Sequence, residues 1–325
     1  MTTSSSKRAL VLGSNGQDGS FLVQHLLRRG YSVTGVSRQP QPAGDIAHAL
    51  FDPVCLDLRQ TDRLTELLEQ VRPTAIFHFA AVHGSSGTRY EADWNDMWMV
   101  NVGVVHPCLE YLRKHRPDGT LVYAGSCKIF GPVFPALVTE QSPISSTCLY
   151  TITKNAALDL IRFYRRDHGI RAAVLHLFHH ESERRRKQFF VPKLVATLHG
   201  ALADKSFRAE FDTLQFHVDW GSAREYMDIA IDVAEQSPTS DVIIASGRTW
   251  SGQELANELF ARHGLDYRNH VIERQATNPS DRSFKVSTDG LAGLIGRTPK
   301  VGIVEVCDAM LRAFGRADAG KLVES

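Results

Sequence analysis

Gly13-Ser14-Asn15-Gly16-Gln17-Asp18-Gly19 stands between an apolar run, Arg8–Leu12, and a stretch with apolar residues at Phe21, Leu22, Leu26 and Leu27. The run reads as a strand, and Ser20–Arg29 as an amphipathic helix that stops at Gly30. GxxGxxG spacing at such a junction lets the backbone turn tightly and approach a pyrophosphate. The helix N-terminus adds amide donors and a positive dipole. Glycine-rich turns also occur in plain loops, so the weight lies in the position, between the first strand and first helix of a βαβ unit.

Outward from this turn the alternation continues. Tyr31–Val36, Ala75–Phe79, Thr120–Ala124 and Arg171–Leu177 read as strands, with helices around Val104–Lys114 and Thr151–Arg166. Such alternation implies a Rossmann-type α/β fold, a doubly wound parallel sheet covered on both faces. After Phe178 the rhythm breaks: His179–Gln188 is polar and residues 200–224 are mixed. A helix (Ala223–Glu235) and a strand (Val242–Ala245) then rejoin the sheet, and helices Ser251–His263 and Ile303–Phe314 flank a polar region. The expected division is a dinucleotide-binding domain, residues 1–178 plus about 223–247, and a smaller mixed α/β C-terminal substrate domain, about 179–222 plus 248–325.

The 325 residues carry 37 Lys+Arg against 36 Asp+Glu, and 43% are apolar. A net charge of +1 gives no reason to expect nucleic acid or a membrane surface as partner. Cys55, Cys108, Cys127, Cys148 and Cys307 show no CxxC spacing, so neither a disulfide framework nor a metal site is expected. Met1–Ser6 reads as a frayed polar end. The apolar stretch after it is too short for a signal peptide or a membrane span, and a cytoplasmic enzyme is the expectation.

The second strand runs into Ser37-Arg38. An acidic residue here would suit the ribose hydroxyl of NAD; an arginine suits a 2′-phosphate, so NADP is expected over NAD. Asp57, with Leu58, is placed near the adenine, or else is a turn or N-cap aspartate. Tyr150-Thr151-Ile152-Thr153-Lys154 puts a phenol and an ammonium one helical turn apart on one face. The lysine charge is expected to lower the phenol pKa, so that tyrosinate takes a hydroxyl proton during oxidation by a nicotinamide. Ser126, at the expected end of a strand, can hold the same substrate oxygen.

Together with His78-Phe79-Ala80-Ala81 and Asn101, these motifs resemble the extended short-chain dehydrogenase/reductase family of NAD-dependent epimerases and dehydratases. Gly16-Gln17-Asp18-Gly19-Ser20, Leu177-Phe178-His179-His180-Glu181-Ser182, Arg184-Arg185, and Asp219-Trp220-Gly221 with Ala223 and Tyr226 are similar to the GDP-mannose 4,6-dehydratase family over about residues 8–315. The resemblance implies a nucleotide-sugar substrate oxidised at C4, with Ser126, Tyr150 and Lys154 as the catalytic trio. It implies cofactor contacts from Gly13, Asn15, Gly16, Gln17, Asp18, Gly19, Arg38, Asp57, Leu58, Phe79, Ala80, Ala81 and Asn101, besides Tyr150 and Lys154. His83, His179, Glu181, Arg184, Arg185, Lys193 and Arg224 are the substrate-side candidates, and a homodimer or homotetramer is expected.

The departures redirect the chemistry. Where those dehydratases carry Thr-Ser-Glu, this chain has Ser126-Cys127-Lys128. Their glutamate takes the C5 proton and helps expel the C6 hydroxyl; an ammonium is no base unless burial lowers its pKa. Arginines that the resemblance assigns to the diphosphate are replaced by Val218 and Asn278. His179 replaces an asparagine, and the arginine pair linked to tetramer formation is reduced to Arg38-Gln39-Pro40. The leading expectation is an NADP-dependent GDP-sugar epimerase or ketoreductase working through a 4-keto sugar, with Cys127, Lys128 or His179 completing the acid–base work. The alternatives are 4,6-dehydration with a replaced acid–base residue, and a catalytically silent cofactor-binding regulatory subunit.

Overall fold

The computed structural model describes residues 7–39, 46–84, 89–274 and 281–323. Met1–Ser6, Pro40 and Asn278 lie outside them. The N-terminal half runs β1 (Arg8–Leu12), α1 (Gln17–Arg28), β2 (Ser32–Ser37), β3 (Phe51–Cys55), α2 (Thr61–Val71), β4 (Ala75–His78), α3 (Trp94–Trp98), α4 (Val105–His115), β5 (Thr120–Ala124), β6 (Leu137–Val138), α5 (Leu149–His168) and β7 (Arg171–Leu177). It continues with β8 (His179–Glu181), α6 (Phe190–Ala203), β9 (Ala209–Phe211), β10 (His217–Ser222), α7 (Ala223–Glu235), β11 (Asp241–Ile244) and β12 (Thr249–Ser251). The remainder is α8 (Gly252–Ala261), β13 (Val271–Glu273), β14 (Lys285–Val286), α9 (Asp289–Ile295) and α10 (Ile303–Val323).

Seven parallel strands form the central sheet in the order β11-β7-β5-β4-β1-β2-β3. This is the doubly wound sheet expected, with its switch point between β1 and β4. Side-chain alternation builds the two cores. Leu10, Leu12, Ile76 and Leu121 pack on α2, α4 and α5, whereas Ala9, Val11, Phe77 and Val122 pack on α1 and α7. β3 had no expectation because Asp52 and Pro53 interrupt it. It lies at the sheet edge, where a proline costs little pairing.

Several boundaries differ from expectation. α1 starts at Gln17, because Gly16 in extended conformation serves as its N-cap before any apolar residue marks the helix. α5 runs Leu149–His168, wider at both ends than expected, and α10 continues to Val323. β5 covers Thr120–Ala124 as expected, so Ser126 lies two residues beyond its end. The rest of the chain adds a mixed three-stranded sheet, β12-β10-β8, and two short parallel pairs, β13-β9 and β14-β6. A third core, built on Leu194, Trp220, Leu255, Phe260, Ile303 and Met310, holds this part together. Among the described residues no helix is long and apolar enough to cross a membrane.

Candidate active site

The glycine turn lies at the switch point, where a crevice opens beyond the strand ends. Gly13 and Ser14 N–H groups donate to the Val36 carbonyl at 2.9 and 3.0 Å, drawing the turn over β2. Gly13 has φ +91°, and a Cβ there would stand 2.7 Å from the Ala80 nitrogen. At Gly19 a Cβ would stand 2.1 Å from the Gly13 carbonyl oxygen. Side chains are thus excluded where a pyrophosphate needs close backbone approach, and no side chain caps the start of α1. Arg38 is exposed at the end of β2, and its charge acts on Asp57 beyond β3. This arrangement fits a dinucleotide lying across the switch point.

Several neighbours turn out to support the turn and not to face it. The Asp18 carboxylate engages His180, whose Nε2 lies 3.1 Å from both its oxygens. Gln17 donates to the His180 carbonyl at 3.3 Å and accepts from Ser182 at 2.8 Å. Asp57 is held by the Arg59 guanidinium, which lowers its pKa, and Arg59 also reaches Asp96. Leu58 and Phe79 point into the cores, leaving their backbones at the crevice. Asn101 is fully buried: its amide bonds Val82 N and O and the Thr153 hydroxyl. The side chains of Asp18, Leu58, Phe79 and Asn101 are thus engaged within the protein.

The start of α5 is fixed by Thr151, whose hydroxyl accepts from Thr147 and Cys148 N–H groups at 2.9 and 3.0 Å. Tyr150 and Lys154 follow on one face, with Lys154 Nζ 5.7 Å from the Tyr150 ring centroid. Lys128 Nζ approaches the same ring at 5.7 Å. Ser126 Oγ accepts from Lys128 N–H at 3.3 Å, capping the short turn Cys127–Phe130. Burial raises the Tyr150 phenol above its ordinary value and the Ser126 hydroxyl opposes this; the lowered phenol expected from Lys154 is not found. Burial instead brings Lys154 down to about 7.

Around this centre stand more bases. The His83 ring meets Tyr150 edge-on at 6.5 Å, and desolvation with the Arg185 and Lys154 charges lowers its pKa. Burial, Arg185 and Lys128 hold half-buried His179 down to about 3. Arg185 stacks on Phe189 at 3.8 Å, above Glu181, whose carboxyl is buried and pushed up to about 7. Glu181 thus supports Arg185 from below and does not line the cleft.

Other expectations are corrected. Cys127 is a core thiol that burial pushes up to about 12, so it does not pair with Lys128 as acid and base. Arg184 bonds the Ser20 hydroxyl and stacks on Phe21 at 4.2 Å. Arg224 stacks on the same ring and pairs with Glu183. Both arginines brace α1. Lys193 lies 4.7 Å over the Phe211 ring.

Three residues with no sequence expectation belong to the site. Tyr90 stacks on Tyr150 at 6.2 Å, Tyr123 receives Lys154 Nζ at 3.2 Å, and Thr153 bonds Asn101. Tyr123 carried a usable signal, a polar-tipped ring inside a buried strand whose hydroxyl needs a partner.

A doubly wound sheet with a glycine turn at its switch point and a Ser–Tyr–Lys trio beyond β5 defines a nicotinamide-dependent enzyme of the short-chain dehydrogenase/reductase class. More closely, the chain belongs to the GDP-mannose 4,6 dehydratase family, whose model matches residues 10–289. GDP-mannose 4,6 dehydratase 1 of Arabidopsis thaliana is 27% identical over 94% of this chain and 89% of its own. The fold is shared with UDP-glucose 4-epimerase of Thermotoga maritima (TM-score 0.81, 16% identity, 95% of this chain and 99% of that one). It is shared likewise with dTDP-glucose 4,6-dehydratase of Bacillus anthracis, solved with NAD (TM-score 0.79, 15% identity, 96% and 97%). The chain is thus a nucleotide-sugar epimerase/dehydratase-type enzyme.

Proposed function

We propose that this enzyme acts on a GDP-hexose or related GDP-sugar through a transient 4-keto sugar, and isomerises or reduces that ketone without expelling water. One observation carries the reading: Lys128 Nζ reaches to 5.7 Å from the Tyr150 ring, on the turn where elimination needs a carboxylate. Glu181, the carboxyl that the sequence offered on the substrate side, is buried beneath Arg185.

In this mechanism Tyr150 takes the proton of the C4 hydroxyl, which Ser126 orients, and protonated Lys154 favours the tyrosinate form. Lys128 stands beside Tyr150 as a proton donor, and burial keeps the His83 and His179 imidazoles neutral at pH 7. Gly13, Gly16 and Gly19 would hold the dinucleotide's pyrophosphate, Arg38 and Asp57 its adenosine end, and Lys154 its nicotinamide ribose. When bound, it supplies reversible two-electron oxidation at C4. Exposed Arg38, with no acidic residue in its place, supports NADP over NAD. In this reading residues 1–178 plus about 223–247 take the cofactor and the remainder, with Arg185 and Lys193, the sugar nucleotide; the third core supports it, whereas Phe284, Val286 and Leu291 pack into the sheet cores.

The His83 ring, edge-on to Tyr150 at 6.5 Å, supports a second reading, 4,6-dehydration with a histidine in the glutamate's role. Incubation with GDP-mannose and NADP in D₂O, read by mass spectrometry and proton NMR, separates the two. A new isomer of unchanged composition, apart from any deuterium on carbon, supports the proposal. Loss of one water overturns it in favour of dehydration. Bound NADP with no sugar-dependent change overturns GDP-mannose as the substrate; the same result with 4-keto GDP-sugars and NADPH overturns the GDP-sugar assignment and favours a silent subunit.

A further inference from the structure

Tyr123 belongs to no motif, yet it is fully buried directly beneath the catalytic lysine. Lys154 Nζ donates to its hydroxyl at 3.2 Å and lies 4.6 Å from its ring centroid. The hydroxyl in turn donates to the Asn101 carbonyl at 2.8 Å. A phenol has one proton, and with that proton committed to Asn101 its lone pair must face Lys154. Asn101 lies in a widened turn, Met99–Gly103, where Val104 N–H bonds the Met99 carbonyl five residues back. The Asn101 side chain is pinned by Val82 and Thr153, so the carbonyl that orients Tyr123 is itself held from two sides. The Ala124 carbonyl is the second acceptor for Lys154, at 2.7 Å.

We propose that Tyr123 is a positioning residue for Lys154: its hydroxyl, oriented by the Asn101 carbonyl, anchors the ammonium and sustains its protonated form. The inference rests on Lys154 as the group that tunes Tyr150. Two N–H bonds of the ammonium are taken by β5, which leaves the third for the cleft. The other titratable groups around Lys154 are Tyr150 on its own helix, His78 on β4 and His83 beyond β4. The ammonium lowers the pKa of both histidines, so it meets no compensating charge from them. A core tyrosine without this role would be replaced by phenylalanine with no effect on the lysine.

The test uses Tyr123→Phe, which keeps the ring, in protein carrying ¹³Cε-lysine, with Lys154 identified by loss of its signal in Lys154→Met. The expected result is a fall of about one pH unit in the Lys154 titration midpoint, the loss of one hydrogen bond to a charged group. Turnover near pH 7 should fall about fivefold with KM for the nucleotide sugar little changed, and the pH profile should move with the midpoint. Should Tyr123→Phe fail to fold, 3-fluorotyrosine at position 123, a poorer acceptor of the same shape, gives a smaller shift in the same direction. An unmoved Lys154 midpoint in the folded variant overturns the proposal. The titration needs no substrate, so absence of turnover on any GDP-sugar in the parent protein counts against the functional reading alone.

Discussion

Tyr150 and Lys154 each carry a pKa displaced toward the neutral form by burial, the phenol upward and the ammonium down to about 7. Mutual proximity keeps the pair useful, since each charge stabilises the other once a proton leaves the phenol. Tyr150→Phe should lower turnover about 10²–10⁴-fold while NADP binding persists, as measured by steady-state rates and cofactor fluorescence. Lys128→Gln should block product formation by about 10²-fold yet leave sugar-dependent cofactor reduction visible by absorbance. Arg38→Asp should cost about tenfold or more in NADP affinity and little in NAD affinity, by titration calorimetry. At this scale the Ser126, Tyr150 and Lys154 grouping was legible because spacing on one helix fixes two of the three. The fate of Arg184 and Arg224 was not, because nothing local announces that both will stack on Phe21.

β8 is tied to α1 by a single ionic latch. His180 places Nδ1 2.7 Å from the Phe178 carbonyl and Nε2 at the Asp18 carboxylate, so both nitrogens must donate and the ring is an imidazolium. Burial opposes that charge, but Asp18 prevails and the His180 pKa is raised, while the Asp18 pKa is lowered. The His180 contribution is complete below its unfolded pKa and fades as pH rises through the raised folded value. The Asp18 contribution is complete above its unfolded pKa and fades as pH falls through its lowered one. His180→Gln should therefore destabilise by about 1–3 kcal/mol near pH 6 and by less near pH 9, a difference that calorimetric unfolding at the two pH values would register. The strands and helices of the first half were legible from period alone. β3 was lost to Pro53, and the three-residue β8 was legible only as a strand end, because its stability comes from β10 and from this latch.

The whole molecule has two sheet cores that follow from strict alternation, and a third assembled from residues as far apart as Val191 and Met310. The first two were legible in the sequence. The third was not, because its residues come from segments far apart in the chain with no shared period. On α5 the apolar residues divide: Leu158 and Ile161 are buried in the chain's own core, whereas Ile152 and Phe163 stay exposed, Phe163 at 41%. Of the apolar α5 residues Leu158, Ile161 and Phe163, only Phe163 is open to a partner, so a homodimer or homotetramer contact on α5 would use Phe163 with Ile152. Phe163→Glu should then convert the assembly to monomers in sedimentation velocity without altering the far-ultraviolet circular dichroism.

Lys285–Val286 pairs with Leu137–Val138, close after the turn that carries Lys128. This short pairing sets an order of events during synthesis. The glycine turn and its switch-point partner, Ala80, are synthesised early, but Gln17 and Asp18 gain their partners only when His180 and Ser182 follow. The segment beyond Lys128 gains its clasp later still, once Val286 has emerged from the ribosome, so the two halves of the crevice are secured at different points of synthesis.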